Sequence, residues 1–114
     1  MLPQKNRLSK KEELARLWKA AQKKKSQFFL IRFQKNPFLH NRFAIFVPNK
    51  IDRRSSARNR LRRQIREIIR LNLEDWRKSQ EKKDIIVLLL KVPAGEKYFN
   101  SLKEDLEKCL KPLF

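Results

Sequence analysis

The chain is poor in the residues on which catalysis and crosslinking depend. It has one glycine, Gly95, so a glycine-rich phosphate loop is excluded. It has one cysteine, Cys109, so an intramolecular disulfide is excluded as well. Cys109 falls on an apolar helical repeat and reads as a small buried hydrophobe in a reducing setting. The single histidine, His40, falls in a loop, which leaves no histidine pair for metal-free acid–base chemistry. Acidic residues number 12 against 30 lysines and arginines, and they are scattered. Glu12, Glu13, Asp52, Glu74, Asp75 and Asp84 read as solvated or helix-end charges rather than as a metal cluster. Zinc-ligand spacing is missing too. The longest apolar run, residues 85–90, is far too short to span a bilayer, and the N-terminus lacks the apolar centre of a signal peptide. These absences put a stand-alone enzyme last among the readings and point away from a membrane protein.

What the chain has in excess is positive charge. Its net charge of +18 over 114 residues exceeds what solubility needs and points to a polyanion: nucleic acid or, less often, an anionic membrane surface. The charge is organised. Eight of the 13 arginines lie in residues 53–70, where Glu67 is the only acid. Ala57, Leu61, Ile65, Ile68 and Ile69 recur at spacings of three and four and predict a helix over 55–73, capped by Ser55 or Ser56. Asn59, Arg63, Arg66 and Arg70 recur on the opposite face. Arg62 lies at its edge, Arg58 at the helix start and Arg60 on the other flank. A solvated face normally mixes signs to gain i,i+4 pairs. This one is almost entirely guanidinium, the group that grips phosphate in a bidentate way and stacks on bases. Arg53 and Arg54 precede the helix N-terminus, where free N–H groups already favour an anion.

The rest of the chain predicts an α+β fold in the order α-β-β-α-β-α. Residues 1–8 read as a loosely held basic segment of a single domain spanning 1–114. Ser9 and Glu12 form a capping-box pattern ahead of a helix over 10–22 carrying Leu14, Leu17, Trp18 and Ala21, ended by Lys23–Lys25. Residues 27–34 and 42–47 alternate as strands, and their short connection predicts antiparallel neighbours. Residues 74–83 read as a charged linker with Trp76 folded back onto the core. The run 85–90 reads as a strand buried on both faces, broken by Pro93-Ala94-Gly95. Phe99, Leu102, Leu106, Cys109 and Leu110 predict a last helix. Strand, central helix and third strand form a β-α-β unit with parallel strands, for which general statistics favour a right-handed crossover. The hairpin has aromatics on both faces: one face is either an open platform for stacking bases or is covered by the first and last helices.

At this point the chain resembles a known family, the protein component of bacterial ribonuclease P. The resemblance rests on RNRLRRQIRE, residues 58–67, similar to the family's RNRxKRxxRE helix. KNRLSKKEEL, RFAIFVPNK and DIIVLLL extend it over about residues 5–110. It implies an α/β sandwich with a small mixed sheet whose β-α-β crossover is left-handed, against the general rule. It implies a protein subunit of a ribonucleoprotein endoribonuclease, assisting removal of the 5′ leader in tRNA maturation, with catalysis in the RNA. Its partners would be the catalytic RNA and precursor tRNA, with no obligate protein partner and a cytoplasmic location. Mg2+ would serve the holoenzyme, held mainly by RNA and substrate. The implied RNA-binding set is Arg58, Asn59, Arg60, Arg62, Arg63, Arg66 and Arg70, with Arg53, Arg54 and Lys50 beside it. The implied leader cleft falls on Leu14, Trp18, Phe29 and Ile31. The chain departs from the pattern at Leu14, aliphatic where the family has an aromatic, at Ala21 and Asp52, where it has glycines, and at Pro48-Asn49, which replace a serine and a lysine. A structural RNA-binding protein, such as a ribosomal component, fits the composition equally well. A DNA-binding protein fits less well, because no short turn leads from a preceding helix into the arginine helix.

Overall fold

The most apolar stretch of the chain takes the centre of a four-stranded mixed sheet. The computed structural model describes residues 2–20, 22–93 and 99–114. In chain order there are a 3-10 turn (Gln4–Asn6), helix α1 (Lys11–Ala20) and strands β1 (Gln22–Lys25), β2 (Phe29–Lys35) and β3 (Arg42–Phe46). Helix α2 (Ser55–Trp76), strand β4 (Lys83–Leu89), helix α3 (Phe99–Leu110) and a second 3-10 turn (Lys111–Leu113) follow. The strand order is β1-β2-β4-β3, with β4 antiparallel to β2 and parallel to β3. Ile85, Ile86, Val87 and Leu89 are fully enclosed. A strand paired at both edges and covered on both faces has to read as a continuous apolar run.

That placement corrects one sequence expectation. β2 and β3 run in opposite directions but are not neighbours, because β4 lies between them. Two strand spacings amount to about 10 Å, and six loop residues at ~3.3 Å each span that easily. The gain is burial of β4, which a β2–β3 hairpin would leave at an edge. The parallel β3–β4 pairing across α2 is as expected, with Phe43 opposite Ile85 and Ile45 opposite Val87.

Strand β1 also escaped the sequence reading. QKKK has no apolar alternation, and it pairs with β2 from Gln22↔Phe33 to Lys25↔Leu30 at the sheet edge. Lysines on an edge strand discourage further pairing with another chain. α1 ends at Ala20, short of the expected end at Gln22, and the lysine run lies within β1 instead of terminating the helix. α1 starts at Lys11, one residue later than a Ser9 cap requires, with the Leu14 N–H donating to the Lys10 carbonyl at 3.0 Å. Ala21 and the Ala94-Gly95 part of the predicted break lie outside the described residues.

The helices cover the sheet unequally. On one face, Phe29, Ile31, Ile85, Val87 and Leu89 meet Leu61, Ile65, Ile68 and Ile69 of α2 and Leu102, Leu106, Cys109 and Leu110 of α3. Cys109 is buried there as an apolar residue, and burial raises its thiol pKa. On the other face, Ile86 and Ala44 meet Leu17 and Leu8, with Leu14, Trp18 and Phe46 only half-buried around them. Neither sequence alternative for the sheet faces is complete: α2 and α3 close one face, and α1 closes part of the other.

The N-terminal segment is held rather than loose. Leu2 is enclosed in the core, and the Leu8 N–H donates to the Phe43 carbonyl at 2.8 Å, lining the segment along β3. Buried Asn6 donates to the Asn41 carbonyl at 2.7 Å. The Asn41 side chain in turn donates to the Trp76 carbonyl and accepts from the Lys83 N–H. Two asparagines thus tie the N-terminus, the end of α2 and the start of β4 together. Trp76 belongs to α2 rather than to a linker, and its ring stacks on Phe114 at 5.0 Å.

One ion cluster joins the layers. The Arg42 guanidinium donates to both Asp84 oxygens at 2.8 and 2.7 Å and to both Glu13 oxygens at 3.3 and 2.7 Å. Hydrogen bonding to Asp84, more than to Glu13, raises the Arg42 pKa, while Arg42 holds Glu13 below its ordinary 4.5. A carboxylate with a depressed folded pKa contributes stability that is complete above 4.5 and lost as pH falls through the folded value. Glu13→Gln is therefore expected to lower the denaturant midpoint at pH 7, with the difference from the parent chain shrinking below pH 4.5; urea titrations across that range check it.

Candidate nucleic-acid interface

Helix α2 spans 22 residues, a rod of about 33 Å at 1.5 Å per residue. Its apolar stripe, Leu61, Ile65, Ile68 and Ile69, is buried as the spacing predicts, and Ala57 at its start is half-buried. Because that stripe is fixed against the sheet, the opposite stripe has a fixed direction. Asn59, Arg60, Arg63 and Arg70 are exposed, and Arg58, Arg62 and Arg66 are half-buried.

The helix begins at Ser55 with Arg54 as its N-cap residue, and no side chain caps it, contrary to the serine-cap expectation. Asp52 organises this end instead. It accepts from the Arg54 N–H at 2.9 Å and from the Arg54 guanidinium at 3.1 and 2.9 Å, which holds its carboxyl at about 2. The Arg58 guanidinium donates back to the Asp52 and Arg53 carbonyls at 2.9 and 2.8 Å. Asp52 and Arg58 together set the path from β3 into α2, leaving Lys50, Arg53 and Arg54 exposed before the first turn.

Further along, the arginines divide into two kinds. Arg62 donates to the Asn59 side chain, and Arg70 donates to Glu67 at 2.9 Å, so these are held in place by neighbours on the helix. Among the described residues, the guanidinium groups of Arg53, Arg60, Arg63 and Arg66 have neither an ion-pair nor a hydrogen-bond partner in the fold. Arg63, Arg66 and Glu67 share one open hollow with Arg7, brought there by the N-terminal segment. Burial first, and then the charges of Arg7 and Arg62, depress the Arg66 pKa. Three like charges sharing a hollow with one carboxylate that already pairs with Arg70 are an arrangement that an anion would relieve. Arg7 was missed by the sequence reading, since only the docking of residues 2–8 places it beside α2.

The leader-cleft set does not come together. Leu14 and Trp18 lie on the α1 face, but Phe29 and Ile31 point to the opposite face and are completely buried under α2 and α3. Strand alternation decides this: a residue in register with Leu89 or Val87 faces the closed side. The residues that do share a face with Trp18 are their neighbours. Phe46 lies 5.7 Å from the Trp18 ring, and the Arg32 guanidinium 5.5 Å from its centroid. Leu30 and Leu88, opposite each other on β2 and β4, are half-buried on the same face. Arg32 Nε is buried without a partner among the described atoms. The signal for this set was present in the alternation of residues 28–33, but not which phase would be closed.

Among the described residues, no group of three or more histidine, cysteine or acidic side chains could hold a metal ion. Hard divalent cations take oxygen ligands, and Glu13 and Asp84, which share Arg42, are both committed to it. His40 is half-buried in the β2–β3 loop, its carbonyl accepting from Asn36. No described helix is long and apolar enough to cross a membrane.

Several known proteins are similar to this chain. A family model described as Ribonuclease P matches residues 2–113. The chain is 32% identical over 109 residues to the "Ribonuclease P protein component" of Fusobacterium nucleatum, covering 96% of this chain and 94% of the relative. It is 33% identical over 107 residues to the protein of that name from Bacillus pumilus, covering 93% and 86%. Among solved structures, the Staphylococcus aureus RNase P protein at 2.0 Å superposes with a TM-score of 0.77 at 26% identity, covering 95% of this chain and 94% of that one.

Proposed function

The chain belongs to the ribonuclease P protein family, and from that premise we propose how it serves the enzyme: α2 grips the catalytic RNA, and the half-open α1 face receives the 5′ leader of precursor tRNA. As the protein subunit of ribonuclease P it is part of a ribonucleoprotein endonuclease of tRNA 5′ processing, and the family implies partnership with the ribonuclease P RNA. The observation that carries the α2 proposal is that Arg63 and Arg66, whose guanidinia have no partner among the described residues, share one hollow with Arg7 on a helix whose other face is locked in the core; Arg7 is held there by its hydrogen bond to the Leu2 carbonyl at 2.9 Å. Phosphates supply what these guanidinia lack. Asn59, Arg60, Arg62 and Arg70 extend the contact along the rod, and Lys50, Arg53, Arg54 and Arg58 continue it past the N-terminus. The chain acts in this reading as one cytoplasmic RNA-binding domain, without an obligate protein partner.

The leader site we propose is Leu14, Trp18, Leu30, Arg32 and Phe46. A half-exposed indole beside a phenyl ring and a guanidinium offers stacking surface to unpaired bases and charge to the connecting phosphate. Mg2+ chemistry belongs in this reading to the RNA and substrate, because the protein's RNA-facing surface is cationic and Glu13 and Asp84 are both committed to Arg42.

Reconstitution tests the reading. Mixed with a bacterial catalytic RNA at low magnesium, the chain is expected to accelerate leader removal from precursor tRNA. No acceleration would sink the proposal. Trp18→Ala is expected to weaken binding of leader-bearing precursor by roughly 5- to 100-fold, given ~1–3 kcal/mol per stacked base. Binding of leaderless tRNA should not change; equal losses for both would remove Trp18 from the leader site.

A further inference from the structure

The β2–β3 loop carries an exposed apolar tip that neither the arginine helix nor the α1 face uses. Phe38 is 48% exposed and Leu39 82% exposed. The tip does not hang free. Asn36 accepts from the Phe38 N–H at 2.8 Å and donates to the His40 carbonyl and to Asp84. The Arg42 guanidinium lies over the Phe38 ring, 4.3 Å from its centroid, and is itself fixed by Glu13 and Asp84. One face of the ring is therefore occupied by a locked cation, and Phe38 is presented in a set orientation.

The surroundings identify the kind of partner. On one side the tip borders a hollow with Arg16 and Lys35, and on the other a hollow with Lys5, Arg77 and Lys82. Cations outnumber carboxylates in both, and Glu13 and Asp84 are already neutralised by Arg42. Two apolar residues make too small a patch for a stable protein interface, which needs on the order of 1,000 Å². They match the size of one base. A cation beneath a phenyl ring draws on its negative face, which favours stacking of an electron-rich base on the other.

We propose that this tip is a second RNA contact, in which Phe38 stacks on one unpaired base of the catalytic RNA and Leu39 packs against its edge. The catalytic RNA is favoured over the substrate because the tip adjoins Leu73 and Arg77 at the end of α2. This rests on the proposed role of α2.

The test uses the full chain and a bacterial ribonuclease P RNA transcript. Phe38→Ala is expected to weaken binding of that RNA by roughly 5- to 100-fold while leaving the salt dependence unchanged, because a stacked ring releases no counter-ions. Phe38→Leu should behave like Phe38→Ala, and Phe38→Tyr like the parent. With 4-fluorophenylalanine at position 38, the 19F resonance should shift on adding the catalytic RNA alone. Since the side chain is half-exposed, thermal midpoints should stay near the parent's. Parent-like affinity of Phe38→Ala with a static resonance overturns the proposal and frees the tip for a protein partner. A shift seen only with precursor tRNA, or a fall in salt slope alongside affinity, overturns it as well. Failure of the parent chain to bind the RNA would instead count against the α2 reading, so the two failures are distinguishable.

Discussion

Replacing Arg63 and Arg66 together by alanine is expected to weaken binding to the catalytic RNA by roughly a hundred- to ten-thousandfold, at about 1.5–3 kcal/mol for each of two charged hydrogen-bonded contacts. The salt dependence should also flatten. Each lost phosphate contact lowers the magnitude of the log–log slope by about 0.7–0.9, so the pair should lower it by roughly 1.5. Stability should hardly move, within ~0.5 kcal/mol, because neither guanidinium has a partner in the fold and Arg66 is crowded by Arg7 and Arg62. Filter binding across a salt series, with a thermal melt on the same variant, reads both quantities. Parent-like affinity and slope would remove α2 as the RNA site. Low affinity with a collapsed melt would show that the arginines hold the fold instead. Arg58→Ala is a different experiment, since its guanidinium bridges two carbonyls at the entry to α2.

Phe29→Ala is expected to cost about 3–5 kcal/mol, the usual range for removing a fully buried aromatic side chain. For a domain of this size that is a large share of the ~5–15 kcal/mol total, and the midpoint should fall by roughly 15 °C or more. Phe29 is 0% exposed and faces α2 and α3. The variant should therefore lose leader-bearing and leaderless substrates together, by losing folded protein. Trp18→Ala should keep most of the stability and discriminate between those substrates. A folded Phe29→Ala protein with a selective leader defect would return Phe29 to the cleft. Denaturant melts paired with binding to the two substrates distinguish these outcomes.

The contrast between Phe29 and Trp18 shows how far the sequence reaches. Alternation in residues 28–33 establishes that odd and even positions oppose each other, but both phases are apolar, so local pattern cannot say which is closed. Packing of α2 and α3 over the odd phase decided it. Arg7 is similar: nothing local marks it, and burial of Leu2 together with the Asn6–Asn41 hydrogen bond carries it to Arg66. Arg42, Glu13 and Asp84 lie far apart in the chain and were legible only as isolated charges. Strand β1 has no apolar signal, because an edge strand is held by backbone pairing.

The arginine helix stands at the other extreme. Its register, its buried stripe and its cationic stripe were determined by the sequence alone, because a helix is local and its periodicity ties each side chain to a face. The buried character of Ile85, Ile86, Val87 and Leu89 was determined in the same way, by an unbroken apolar run, whereas Leu88 and Leu90 in that run are only half-buried. What only the tertiary structure decided is where those elements lie. β4 lies between β2 and β3 because its apolar run needs cover at both edges and on both faces. The basic face of α2 gains Arg7, and the β2–β3 loop comes to the end of α2, because of contacts between residues distant in the chain. Such contacts depend on the fit of whole surfaces, which no local spacing encodes.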